Sequence, residues 1–175
     1  VRDMSAYSRI SKGFKEALIL PLDKNSKYIL MSDCHRGRGN ANDNFLKNEY
    51  LYVAAMKFYF RNGFTYLELG DGDELWENRS MTEIKEMHKS SFRVLSEYYG
   101  NHDMVKKDTK KFQKYMMTCE CEKKMCQVSL CPGIKFYEGI ILKDKEKERD
   151  IYLIHGHQTD ALNSTFWKIS RFLVR

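Results

Sequence analysis

Short apolar runs and longer amphipathic segments alternate along the first part of the chain. Residues 27–32 form a short apolar run, and residues 43–62 carry a dense apolar stripe that stops at Gly63. Residues 64–69 form a second apolar run, and residues 80–98 begin with a Ser-x-x-Glu pattern that is typical of a helix start. The pattern predicts strand, helix, strand and helix, which is the order typical of a parallel sheet in an α/β protein.

The second part of the chain reads mainly as strands. Residues 126–130 and 134–142 flank the turn dipeptide Pro132-Gly133, and we expect them to pair as a hairpin. The remaining predicted elements are a strand at 151–154 and a helix at 165–175.

Composition indicates one globular domain spanning residues 1–175, because 42% of the residues are hydrophobic and the chain is long enough to bury a core. No apolar run approaches the roughly 18 residues of a membrane span, and the amino terminus lacks a signal-peptide apolar core. The chain has five cysteines, an odd number that argues against a disulfide framework. We therefore expect reduced thiols, a cytoplasmic location and no membrane span.

The formal net charge is +6, but the basic residues are interleaved with acidic ones. Residues 143–150 alternate in sign, and we expect them to form a solvated turn. Charge alone therefore gives only weak support for a phosphate-bearing substrate.

Four polar clusters fall where a predicted strand or helix gives way to a loop. They are Asp33 with His35, Gly70-Asp71, residues 100–103 and residues 155–157. The carboxyl ends of parallel strands meet at one edge of a sheet, so we expect the clusters to converge. Their Asp, His and Asn side chains suit Mn, Fe or Zn. Residues 33 and 35 would face the same side of an extended chain and therefore the same ion.

The order Asp-x-His, Gly-Asp, Gly-Asn-His-Asp and His-Gly-His resembles the calcineurin-like metallophosphoesterase superfamily, across residues 33–157. Within it, "SDCHRG", "LGDGDELWEN" and "IHGHQTD" are similar to a bacterial branch related to the enzyme that hydrolyses UDP-diacylglucosamine in lipid A synthesis. We do not transfer that lipid substrate to this chain. The resemblance implies an α/β fold, an αββα sandwich of two mixed sheets, and hydrolysis of a phosphorylated small molecule or other phosphoester.

The resemblance also implies two divalent metal ions, with Mn favoured and Fe or Zn as alternatives. Asp33 and His35 would hold the first ion, Asp71 would bridge both, and Asn101 and His155 would hold the second. A water between the ions would attack phosphorus.

Three residues are expected to act in catalysis. His102 would serve as a general acid or electrostatic stabiliser, oriented by Glu74 or by Asp103. The residues expected to bind substrate are Arg36, Arg38 and His157. For the two arginines, the alternative is plain solvation in a loop.

The sequence also departs from the family pattern. No Gly-His-x-His motif follows residue 157, and we expect the chain to lack the C-terminal part of the domain. If residues 156–159 were that motif, His157 would bind the second ion and His155 would be its neighbour. The alternative to this function is a non-catalytic binding domain with an incomplete metal site, and a third possibility is a nuclease.

Two further features have structural interpretations. Four cysteines lie close together in the sequence and could hold a structural zinc: Cys119, Cys121, Cys126 and Cys131. Their spacing lacks paired C-x-x-C knuckles, so we do not favour zinc there. His88 has no motif around it and is expected to be an exposed helix residue.

Overall fold

The computed structural model describes residues 6–75, 77–78, 80–100, 104–105, 116–121, 124–129 and 137–156. In chain order its elements are α1 (Ala6–Lys15), β1 (Leu18–Leu22), β2 (Tyr28–Met31), a short 3-10 helix (Leu46–Asn48), α2 (Glu49–Arg61), β3 (Thr65–Glu68), α3 (Met81–Met87), α4 (Lys89–Gly100), β4 (Met104–Val105), β5 (Met116–Cys121), β6 (Lys124–Ser129), β7 (Ile140–Asp144) and β8 (Arg149–Leu153). The protein belongs to the α/β class, as the sequence predicted.

One sheet has the strand order β2-β3-β4, and both of its pairings are parallel. Helix α2 connects β2 to β3, and α3 with α4 connects β3 to β4. The predicted alternation of strand and helix is therefore confirmed over this part of the chain. The predicted helix start is also confirmed, because the Ser80 hydroxyl accepts a hydrogen bond from the backbone N–H of Glu83 at 3.4 Å.

A second sheet has the order β1-β7-β8, with β1 parallel and β8 antiparallel to β7. The charged segment predicted to be a turn does contain one, at residues 145–148 between β7 and β8. Strand β1, an apolar run that contains Pro21, was not predicted. In the described sheet β1 is an edge strand, where a proline costs no ladder hydrogen bond.

The hairpin predicted from residues 126–130 and 134–142 is wrong. Strand β6 pairs antiparallel with β5, and β7 pairs with β1 and β8 instead. Ile140, Ile141 and Leu142 of β7 are buried, and the backbone N–H and C=O groups of a buried strand need hydrogen-bond partners, which β1 and β8 supply. The predicted helix at 165–175 lies outside the described residues.

The two three-stranded sheets pack face to face. Leu67 of β3 is fully buried against Ile140 and Leu142 of β7. On its other face, the β2-β3-β4 sheet contributes Tyr66 to a core formed mainly by the helices that follow β2 and β3. Helix α1 contacts the β1-β7-β8 sheet, where the Phe14 ring packs edge-on against Tyr152. The layers therefore lie in the order α1, the β1-β7-β8 sheet, the β2-β3-β4 sheet, and then helices α2 to α4.

His88 is not the exposed residue that the sequence predicted. It lies between α3 and α4 and is fully buried. Its Nε2 atom is 2.8 Å from Oδ2 of Asp43, and its Nδ1 atom is 3.0 Å from Oε2 of Glu49. Burying a polar side chain is costly unless it is hydrogen-bonded, and these two carboxylates supply the partners for His88.

Candidate metal centre

The candidate centre lies where β2 and β3 end. The backbone ladder between these strands continues into the loops that follow them: the N–H groups of Asp33, His35 and Arg36 donate to the carbonyls of residues 70, 71 and 72 at 3.1, 2.9 and 3.0 Å. Two loops from separate parts of the chain are thereby held side by side. This pairing fixes the backbone positions of the side chains described next.

Asp33, His35 and Asp71 form a group that can hold a metal ion. Each offers one ligand atom, and these atoms lie within 4.8 Å of one another. The expectation that these three residues converge is therefore confirmed. Two carboxylates and an imidazole form a donor set that fits a divalent ion such as Mn, Fe or Zn.

The backbone at these residues differs from the extended form that the sequence suggested. Asp33, His35 and Asp71 have φ angles of 54°, 49° and 44°, which lie in the left-handed region. Non-glycine residues rarely adopt this conformation, and its cost is tolerated mainly at functional positions. The side chains of Asp33 and His35 therefore share one site through two left-handed residues, and not through strand alternation.

His155 reaches the same site from the end of β8, in the other sheet. Its Nε2 atom lies 3.3 Å from Oδ1 of Asp33 and 3.6 Å from Oδ2 of Asp71. Gly70 makes this approach possible, because a Cβ atom there would lie 2.6 Å from Cγ of His155. Three of the four predicted polar clusters thus meet in space.

Asp33 is held in its charged form. The Ser32 hydroxyl donates to Oδ2 of Asp33. This hydrogen bond, followed by the effects of His155 and His35, lowers the pKa of Asp33 and outweighs the opposing effect of burial. A carboxylate with a lowered pKa remains an anionic ligand at neutral pH.

Glu74 contacts a predicted metal ligand. Its Oε2 atom lies 2.7 Å from Nδ1 of His35, and its side chain is only 14% exposed. The sequence assigned Glu74 to the orientation of His102, which lies outside the described residues, so that role stays a prediction. The contact with His35 was missed, although the three-residue spacing from Asp71 places Glu74 in the same loop as a ligand.

Arg36 is not placed to bind substrate, and the prediction for it is wrong. Its side chain is fully buried, and its guanidinium donates to Oε1 of Glu68 and Oδ1 of Asp73, both at 2.7 Å. It also lies over the ring of Phe92, 5.4 Å from the ring centroid. A guanidinium without exposed surface cannot contact a phosphoester, and this one joins the β3 strand to the Asp71 loop instead.

Arg38 is exposed, as the sequence expected. Its side chain is 53% exposed, and Nη1 lies 3.7 Å from Oε2 of Glu83. An exposed pair at this distance is weak, so the guanidinium can exchange partners. Substrate binding by Arg38 stays a prediction.

Asn101, His102, Asp103 and His157 lie outside the described residues. Three cysteines of the alternative zinc site lie on the β5–β6 hairpin, where Cys119 is directly opposite Cys126, and Cys131 lies outside the described residues. Cys34, within the opening Asp-x-His motif, is not part of a disulfide.

Comparisons with protein-family models, with curated proteins and with solved structures found no match for this chain. In the part of the chain that the structure describes, no helix has the length and apolar character needed to cross a membrane.

Proposed function

We propose that this chain is a metal-dependent phosphoester hydrolase domain with a calcineurin-like αββα fold. The observation that carries the proposal is the convergence of Asp33, His35 and Asp71, from two separate loops, to within 4.8 Å at the carboxyl edge of a parallel sheet. This edge is where α/β proteins bind ligands. The packing of two sheets between helices on either side supports the same fold family.

The donor set supports a divalent cation, and we propose Mn at two adjacent positions. Asp33 and His35 would hold one ion, with Asp71 shared between both. His155 would contribute to the second position with Asn101, and its Nε2 atom already lies 3.6 Å from the carboxylate of Asp71. A carboxylate has two oxygens, which allows Asp71 to serve both positions.

Bound divalent ions supply phosphoester hydrolysis with an activated water and with positive charge that stabilises the transition state. The protein's own residues would bind the substrate and position its leaving group. Arg38, an exposed residue of the loop that carries His35, would bind phosphate oxygens through its planar guanidinium. His102 would donate a proton to the leaving group, with Asp103 as one residue that could orient it. The substrate class is a phosphate monoester or diester, and we propose a cytoplasmic location.

The test is Mn-stimulated hydrolysis of an aryl phosphate monoester and an aryl phosphate diester. Asp71→Asn should lower kcat/KM by at least about 10- to 100-fold. That is the loss caused by removing a residue that supports a metal ligand, and removing the ligand itself should cost no less. Asp150→Asn makes the same chemical change at an exposed residue of β8 and should leave activity unchanged. Equal activity of the two variants would contradict the proposal.

A further inference from the structure

We propose that Glu74 is a positioning residue that selects the metal-binding tautomer of His35. This inference rests on the proposed metal site. The contact that carries it is the 2.7 Å separation between Oε2 of Glu74 and Nδ1 of His35. Glu74 thus acts on a ligand of the first ion, which is a different role from the orientation of His102.

The chemistry follows from what each group can donate. A carboxylate only accepts hydrogen bonds, so the ring nitrogen that faces it carries the proton. In neutral His35, Nδ1–H therefore donates to Glu74, and Nε2 keeps its lone pair. Nε2 is the nitrogen that faces Asp33, at 3.9 Å from Oδ1. The free lone pair is thereby directed toward the predicted ion, as in other carboxylate–histidine–metal arrangements.

Glu74 is itself held in place from several sides. Its backbone N–H donates to the carbonyl of Arg36 at 2.9 Å, and its Oε1 atom accepts from the N–H of Glu77 at 3.3 Å. Its backbone carbonyl accepts from the side-chain amide of Asn78 at 2.8 Å. The backbone of Glu74 is fixed on both sides and one carboxylate oxygen is anchored, so the other oxygen can orient the imidazole of His35.

The arrangement couples the two ligand loops. Glu74 follows Asp71 in one loop, whereas His35 belongs to the other. The loop after β3 therefore supplies the ligand Asp71 and also, through Glu74, orients the ligand His35 of the loop after β2. His35 has a left-handed backbone, with φ of 49°, so its ring direction is set by this contact together with the backbone ladder.

The experiment compares wild type, Glu74→Ala and Glu77→Ala. Glu77 is an exposed glutamate of the same loop that bonds Asn42 at 2.9 Å, which makes it a matched control. Mn²⁺ affinity is measured by titration calorimetry, and the His35 tautomer is measured by nitrogen NMR in the metal-free protein. We expect Glu74→Ala to weaken Mn²⁺ binding about 10- to 100-fold and to move the proton of His35 from Nδ1 toward Nε2. Glu77→Ala should change neither quantity.

The outcomes separate this inference from the proposed function. If wild type binds no Mn²⁺, the proposed metal site is overturned, and the metal-directed role of Glu74 with it. If wild type binds Mn²⁺ and Glu74→Ala binds it as tightly as Glu77→Ala does, only the inference is overturned. Should Glu74→Ala not fold, the wild-type tautomer still decides, because a proton on Nε2 of His35 would contradict the assignment. Glu74→Gln, which keeps the side-chain length but removes the negative charge, should then bind Mn²⁺ more weakly than wild type, and an unchanged affinity would contradict the inference.

Discussion

Replacing Arg36 by methionine should strongly destabilise the protein. Methionine keeps much of the apolar volume of the side chain but removes the charge. Burial tends to lower the pKa of Arg36, yet Asp73 and Glu68 outweigh it and hold that pKa above its usual value. The native side chain is therefore a cation between two carboxylates, and the variant leaves both carboxylates without it.

The size of the effect follows from the burial of all three groups. The side chains of Arg36, Glu68 and Asp73 are 0%, 1% and 3% exposed. Removing one partner of a buried ion pair typically costs about 3–5 kcal/mol. With a urea m-value of about 2 kcal/mol/M, the midpoint of unfolding should fall by about 1.5–2.5 M.

Urea unfolding followed by circular dichroism measures this directly. Arg38→Met is the matched control, since Arg38 is 53% exposed and its pair with Glu83 is long at 3.7 Å. The control should lose less than about 1 kcal/mol. If the unfolding free energies of Arg36→Met and Arg38→Met lie within about 1 kcal/mol of each other, the buried ion pairs of Arg36 do not stabilise the protein as expected.

Two further predictions concern the helices and acid stability. Ser80→Ala should lower the free energy of unfolding by about 1 kcal/mol in a urea titration, because it removes the acceptor for the N–H of Glu83. Ser90→Ala, on the exposed surface of α4, should leave that free energy unchanged. An equal loss in both variants would contradict the capping role of Ser80. Burial tends to raise the pKa of Asp43, but hydrogen bonds from Gly39 and His88 outweigh it and hold that pKa below 3.8. The stability that charged Asp43 contributes is therefore present above pH 3.8 and lost as the pH falls through its folded pKa. In thermal unfolding measured from pH 7 to pH 2, Asp43→Asn should be less stable than wild type near neutrality and should lose less stability than wild type as the pH falls. If Asp43→Asn loses as much stability in acid as wild type does, this reasoning is contradicted.

The convergence of Asp33, His35 and Asp71 could be predicted because each lies in a short motif directly after an apolar strand. Parallel strands bring their carboxyl ends together, so the register of β2 and β3 places these motifs side by side. The left-handed backbone at the three residues has no such local signal. It depends on hydrogen bonds between the two loops, which are distant in the sequence.

The roles of Arg36 and His88 were predicted incorrectly for a related reason. The partners of Arg36 lie 32 and 37 residues further along the chain, and those of His88 lie 45 and 39 residues earlier. A charged residue in a loop and a histidine on a helix are usually exposed, and nothing near them in sequence indicates burial. Only the assembled fold supplies the carboxylates that make their burial favourable.

The central claim is that Asp33, His35 and Asp71 bind one divalent ion. Anomalous diffraction from crystals of the protein grown with Mn²⁺ tests it most directly. We expect an ion within about 2.0–2.3 Å of a carboxylate oxygen of Asp33, Nε2 of His35 and a carboxylate oxygen of Asp71. A second ion about 3.5–4 Å away, next to His155, would match the proposed pair. At saturating Mn²⁺, an anomalous map without a peak among these three residues would contradict the claim.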